Sequence, residues 1–127
     1  MTTPPGSLPA RLDAWLALVR MPLLFTAWSN VIAAHLIATI GSPHWRLLGM
    51  QLAIAACFYW ASMILNDCFD QARDREHHPD RPLPSGRISA RAAWAAGYGL
   101  LGLGLGFGVL AGPGPLVLTL LLAGVIL

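Results

Sequence analysis

Charged residues are absent from three long stretches of this chain, and those gaps set its plan. Met21 to Pro43 gives 23 uncharged positions, Leu47 to Leu65 gives 19 and Ala92 to Ala111 gives 20. A helix rises about 1.5 Å per residue, so roughly 20 apolar positions cover the hydrocarbon core of a bilayer. Each stretch therefore predicts one membrane-crossing helix. Gly112–Pro115 (Gly-Pro-Gly-Pro) reads as a turn, and Leu116 to Leu127 opens a fourth apolar run of twelve residues, too short to cross as a helix. The run stops with no flanking charge or aromatic, and the expectation is a truncated fourth span, with a short re-entrant or interfacial end as the alternative. Residues 1–10 read as a flexible tail of proline and small polar residues, and Leu12 to Arg20 as a short amphipathic helix at the interface. The first apolar stretch is too long for the ~7–15-residue core of a signal peptide, so it predicts an uncleaved anchor. The predicted fold class is an all-α integral membrane bundle. Residues 1–20 form a cytoplasmic tail and interfacial lead-in; 21–127 form one transmembrane domain with a cytoplasmic loop at 66–91.

Composition agrees with the pattern: 56% of the 127 residues are hydrophobic and 11% charged, against about 25% charged in soluble domains. There is no lysine; all 8 basic residues are arginine, without the basic stripe that nucleic-acid binding needs. Two cysteines, Cys57 and Cys68, do not make a disulfide framework. Placement of charge says more than its amount. Ten of the fourteen charged residues lie between Asp67 and Arg91. With the N-terminus inside, Arg11, Arg20, Arg73, Arg75, Arg81, Arg87 and Arg91 face the cytoplasm and only Arg46 lies outside, the bias of a multi-pass protein of a bacterial inner membrane. Trp15 and Trp94 then mark the inner interface and Trp45 the outer one.

The third span carries Gly97, Gly99, Gly102, Gly104, Gly106 and Gly108. Gly102/Gly106 and Gly104/Gly108 are small-xxx-small pairs that let helix backbones approach in lipid, a packing signal.

Chemistry concentrates in NDCFDQARDREHHPDRPLPSGRIS, from Asn66. The second span runs into it without glycine or proline, so the helix is expected to continue to about His78, before Pro79. On that helix Asn66, Asp70 and Asp74 recur at i, i+4 and i+8, with Asp67 flanking the stripe. Convergent hard oxygens suit Mg²⁺, which takes one or two carboxylates and fills its other sites with water and phosphate. The spacing fits equally a solvated helix end in which Asp70–Arg73 and Asp74–Arg75 balance charge. Beyond it two prolines stiffen Arg81–Arg87, Ser85-Gly86 makes a turn and Ser89 is positioned to cap the third span. Arg73, Arg81 and Arg87 are candidates for phosphate, whose oxygens match the guanidinium fork, and equally for topology alone.

NDCFDQARD followed by RPLPSG resembles the first aspartate-rich motif of the UbiA-type prenyltransferases, N-D-x-x-D-x-x-x-D and then an R-P-[LI]-x-x-G turn. Arg20-Met21-Pro22 is similar to the family's lead into its first span. The resemblance implies about nine transmembrane helices around a central cavity, and transfer of a prenyl group from a polyprenyl diphosphate to an acceptor. It makes Asn66, Asp70 and Asp74 the catalytic residues, with Asp67, Asp70 and Asp74 holding Mg²⁺ through the diphosphate. Arg73, Arg81 and Arg87 become the diphosphate-binding arginines. The family's second aspartate-rich motif has no counterpart here, and no charged residue follows Arg91. The chain thus carries half of such a site, and alone is expected to be inactive. The acceptor and the prenyl length are not readable from these residues.

Ser29 and Asn30 lie near the middle of the first span, where polar residues face a bundle or cavity; Asn30 is the candidate cavity-lining residue. His35 reads as a packed, neutral side chain. His77 and His78 share no ligand spacing with a third soft donor, so zinc is not expected. Phe58, Tyr59 and Trp60 offer faces to a cation or prenyl chain, although core or lipid contact accounts for them equally. Two other classes compete: a non-catalytic UbiA-like membrane protein or transporter, and a phosphatidyl transferase of the CDP-alcohol type. The latter requires an Asp-Gly pair that this chain lacks.

Overall fold

The computed structural model describes residues 8–40 and 42–126. They form six helices: α1 (Leu8–Leu18), α2 (Met21–Ala38), α3 (Trp45–Phe69), α4 (Gln71–His77), α5 (Ala90–Ala111) and α6 (Pro113–Ile126). No strand occurs among the described residues. Three helices, α2, α3 and α5, are long and apolar enough to cross a membrane. Large side chains such as Leu36, Ile37, Leu110, Leu118 and Val125 stand exposed along α2, α5 and α6. Apolar surface of that extent has to be covered, and lipid covers it in an integral membrane protein.

Helix α3 is the axis of the bundle, packing against α1, α2, α5 and α6. Of its most apolar window 39% is buried, against 28% for α5 and 11% for α2. The α3–α5 seam is close because glycines remove side chains from it. A Cβ on Gly97 would meet Leu65 Cδ2 at 2.6 Å, and one on Gly104 would meet Phe58 Cε2 at 2.7 Å. Gly108 does the same for Thr119 of α6. Gly99, Gly102 and Gly106 have nothing within 4 Å. The small-residue signal therefore divides: Gly104/Gly108 packs, and Gly102/Gly106 does not.

Helix boundaries depart from the sequence expectation at three points. Helix α1 begins at Leu8, within the expected tail, because Pro9 falls in a first turn, where no intrahelical N–H is required; residues 1–7 of that tail lie outside the described residues. The expected turn at Gly112–Pro115 shrinks to Gly112 (φ 112°). Pro113 and Pro115 instead open α6, the position where proline costs least. The helix expected to run on to His78 is interrupted at Asp70 (φ −81°, ψ 1°). The interruption is shallow, since Asp70 N still donates to Asn66 O at 2.9 Å and Asp74 N to Asp70 O at 2.9 Å.

Segment 78–89 folds back on the bundle. Leu83 and Ile88 are buried in one cluster with Ala14, Leu18, Ile64, Cys68 and Ala93, joining α1, α3 and α5. Ile88 N donates to Pro82 O at 3.1 Å, and Gly86 supplies the left-handed turn residue (φ 75°). Ser89 caps α5 as expected, its Oγ accepting from Ala92 N at 3.2 Å.

Candidate functional site

The end of α3 and the start of α4 bring four polar side chains together. Asn66 stands exposed and its Nδ2 donates to Asp70 Oδ2 at 3.2 Å, so the two share a face one turn apart. Asp67 and Asp74 are buried instead, at 5% and 4% exposed. Buried carboxylates need partners, and each has an arginine. Arg81 Nη1 donates to Asp74 Oδ2 at 2.6 Å, and this bond raises the guanidinium pKa above its already high ordinary value. Arg20 Nη2 donates to Asp67 Oδ1 at 3.3 Å across 47 residues of sequence. Arg81, Asp70 and Asp74 also act electrostatically on Asp67, so with Arg20 the five groups form one charge system.

Arg20 is itself held in an uncommon conformation. It sits between α1 and α2 with φ 47° and ψ 50°, the left-handed region that non-glycine residues rarely adopt. Tyr59 Oη donates to its carbonyl at 3.3 Å and its Nη1 meets Met63 Sδ at 3.6 Å. The corner that sets the direction of α2 is thus bolted to α3 beside Asp67.

The remaining sequence candidates fall outside this knot. Arg73 is exposed on α4. Arg87 is exposed and turned to its own loop, donating to Asp80 O and, at 3.1 Å, to Ser85 Oγ. Asn30 is exposed on α2. His77 donates from Nδ1 to Arg73 O at 3.0 Å, and His78 is exposed. Among the described residues no three histidine, cysteine or acidic side chains are gathered closely enough to ligate one ion unaided.

A cavity of about 350 Å³ opens beside Asn66, lined by Ser62, Met63, Asn66, Phe69, Val125 and Ile126. Phe69 is fixed there by an edge-to-face contact with Trp94, centroids 4.8 Å apart, and Trp94 stacks on Tyr98 at 5.7 Å. Sequence reasoning passed over Phe69 and the Arg20–Asp67 pair. Phe69 sits in a variable position of the motif, and no local pattern signals a pair 47 residues apart.

The charge system is therefore a mouth of two hard-oxygen donors, Asn66 and Asp70, backed by two carboxylates that arginines neutralise. A sequence model of the UbiA prenyltransferase family matches residues 14–127. Among similar curated proteins is a digeranylgeranylglyceryl phosphate synthase of Metallosphaera sedula, 38% identical over 90 residues, covering 65% of this chain and 32% of the relative. One of the same name from Methanoregula boonei is 40% identical over 82 residues, 65% of this chain and 29% of the relative. A 2-acylphloroglucinol 4-prenyltransferase of Humulus lupulus is 50% identical over 48 residues, 38% of this chain and 11% of the relative. The chain spans about a third of the length of the first two relatives. No solved structure matches it.

Proposed function

Since the chain belongs to the UbiA prenyltransferase family, we propose that the protein it represents transfers a prenyl group from a polyprenyl diphosphate to an acceptor within the membrane, with Mg²⁺. The observation that carries this reading is Asn66 on the wall of a cavity, hydrogen-bonded to Asp70, while Asp67 and Asp74 are buried and paired with arginines. The donor set suits a hard cation, being amide and carboxylate oxygen with no thiol or imidazole among them. Asn66, Asp70 and Asp74 would hold Mg²⁺ for the diphosphate, with Asp67 beside them and Arg81 sharing Asp74 with the metal. When bound, the metal offsets the charge that builds on the departing diphosphate.

The chain's own residues have separate tasks. Asn66 and Asp70 present oxygen at the mouth; their mutual hydrogen bond fixes the spacing before substrate arrives. Arg81 holds Asp74 in place by their ion pair and offers its remaining N–H groups to phosphate; Arg73 and Arg87 border the same segment and bind the diphosphate. Phe69, Met63 and Ser62 line the wall along which the prenyl chain leaves the diphosphate, excluding water from the reacting carbon. Asn30 faces the cavity that the complete bundle encloses. The N-terminus and residues 66–91 lie on the cytoplasmic side of the membrane, the arrangement the arginine bias supports.

The relatives' names guide the choice of substrate. Geranylgeranyl diphosphate is the first donor to try, with a glyceryl phosphate lipid and a phenolic ring as the two acceptor classes. The test is binding of labelled geranylgeranyl diphosphate to the full-length protein, with and without Mg²⁺, for the native sequence, Asp70→Asn and Asp74→Asn. The expected result is Mg²⁺-dependent binding that weakens roughly 10–100-fold in either variant. Binding that ignores both Mg²⁺ and the substitutions overturns the proposal.

A further inference from the structure

A second cavity, of about 450 Å³, lies at the other end of the bundle, between α2, α3 and α6. Gln51, on its wall, precedes Asn66 by fifteen positions on α3, which separates the two sites by about 22 Å at ~1.5 Å per residue. The volume falls within the ~300–1,000 Å³ of small-molecule sites. Its walls are almost wholly aliphatic, among them Val31, Ile54, Leu118 and Leu122, with His35, Gln51 and Thr119 as inserted polar groups.

His35 is the anomaly. It is 4% exposed, and Nδ1 lies 2.8 Å from Gln51 Oε1. An amide oxygen only accepts, so Nδ1 carries the ring proton and Nε2 is left as a bare lone pair. Nε2 is buried and has no hydrogen-bond partner among the described residues. Nearby hydroxyls do not answer it: Thr119 Oγ1 donates to Leu116 O at 2.8 Å and Thr39 Oγ1 to His35 O at 2.8 Å. A buried acceptor without a donor is costly, and buried polar groups in folded proteins are nearly always paired.

We propose that this cavity is a binding site for an apolar molecule carrying one hydroxyl, whose O–H donates to His35 Nε2 while its hydrocarbon fills the aliphatic walls. The wall chemistry admits a hydrocarbon body, and the orphan lone pair selects a donor head. Carboxylates and phosphates do not fit, because no cation lines the cavity to receive them. A long-chain alcohol and an alkylated phenol present the same donor, and both come dissolved in a membrane. The site does not depend on the diphosphate chemistry at Asn66.

The experiment is photolabelling of the full-length protein in liposomes with two diazirine probes, geranylgeraniol and a long-chain alkylphenol, each beside its methyl ether. The expected result is labelling on α2, α3 or α6 by at least one hydroxyl probe, roughly tenfold above its ether. His35→Phe keeps an aromatic ring but removes the acceptor, and should bring that probe down to the ether's level. Ala55→Leu, which narrows the cavity and leaves His35 in place, should abolish labelling by both forms; retained thermal unfolding confirms that either variant is folded. An aliphatic source is indicated if geranylgeraniol alone labels and an aromatic one if the phenol alone does. Equal labelling by ethers and hydroxyl probes, labelling that survives His35→Phe, or no labelling because the cavity holds water only, overturns the proposal.

Discussion

The two ends of α3 solve the same problem with different chemistry. At the Asn66 end two buried carboxylates are held by full charges, Arg20 on Asp67 and Arg81 on Asp74. At the Gln51 end one buried imidazole is held by a neutral amide, and half of its capacity is left over. An ionised group costs far more to bury than a neutral one, so its neighbourhood must be fully committed. The neutral end can stay partly unsatisfied. One end is therefore rigid by electrostatic necessity, whereas the other keeps room for a guest.

Substitutions at each end break or sharpen this contrast. The largest effect is expected from Gly97→Leu, which drives a side chain into Leu65 and Ile64 just below the charged end. It should cost roughly 3 kcal/mol or more, read as loss of thermal stability in detergent, while Gly99→Leu, with open space around it, leaves the transition in place. Arg20→Ala comes next, at about 2 kcal/mol, since Asp67 stays buried without its nearest counter-ion while Arg20's own partial exposure moderates the loss. Adding Asp67→Asn should recover about half of that; a double-mutant cycle with no coupling would show the pair to be ornamental. At the neutral end, Gln51→Leu removes the acceptor of His35 Nδ1 and should cost about 1.5 kcal/mol by the same unfolding measurement. The smallest effect belongs to Ser89→Ala, about 1 kcal/mol from the lost cap of α5, seen as faster amide exchange in its first turn.

What the sequence disclosed follows the range of each interaction. The three spans were legible because charge-free runs of that length have few other uses, and Ser89 was legible because a cap is a local signal. Asn66, Asp67, Asp70 and Asp74 were legible as a group for the same reason. Their division into an open pair and a buried pair was not, because it depends on Arg20 and on a loop whose Leu83 and Ile88 turn inward. The break at Asp70 carries no glycine or proline to announce it. Glycines of α5 all look alike in sequence; only the helix they face separates Gly97, Gly104 and Gly108 from the others.

The left-handed corner at Arg20 carries a mechanical implication. A conformation costing of order 1 kcal/mol or more persists only where its surroundings impose it. Here they are the Tyr59 hydroxyl on the backbone and Asp67 on the side chain. Removing the Asp67 contact therefore leaves the corner to the Tyr59 hydroxyl and the Met63 sulfur. A single arginine thus joins the carboxylate at the end of α3 to the backbone that sets the direction of α2.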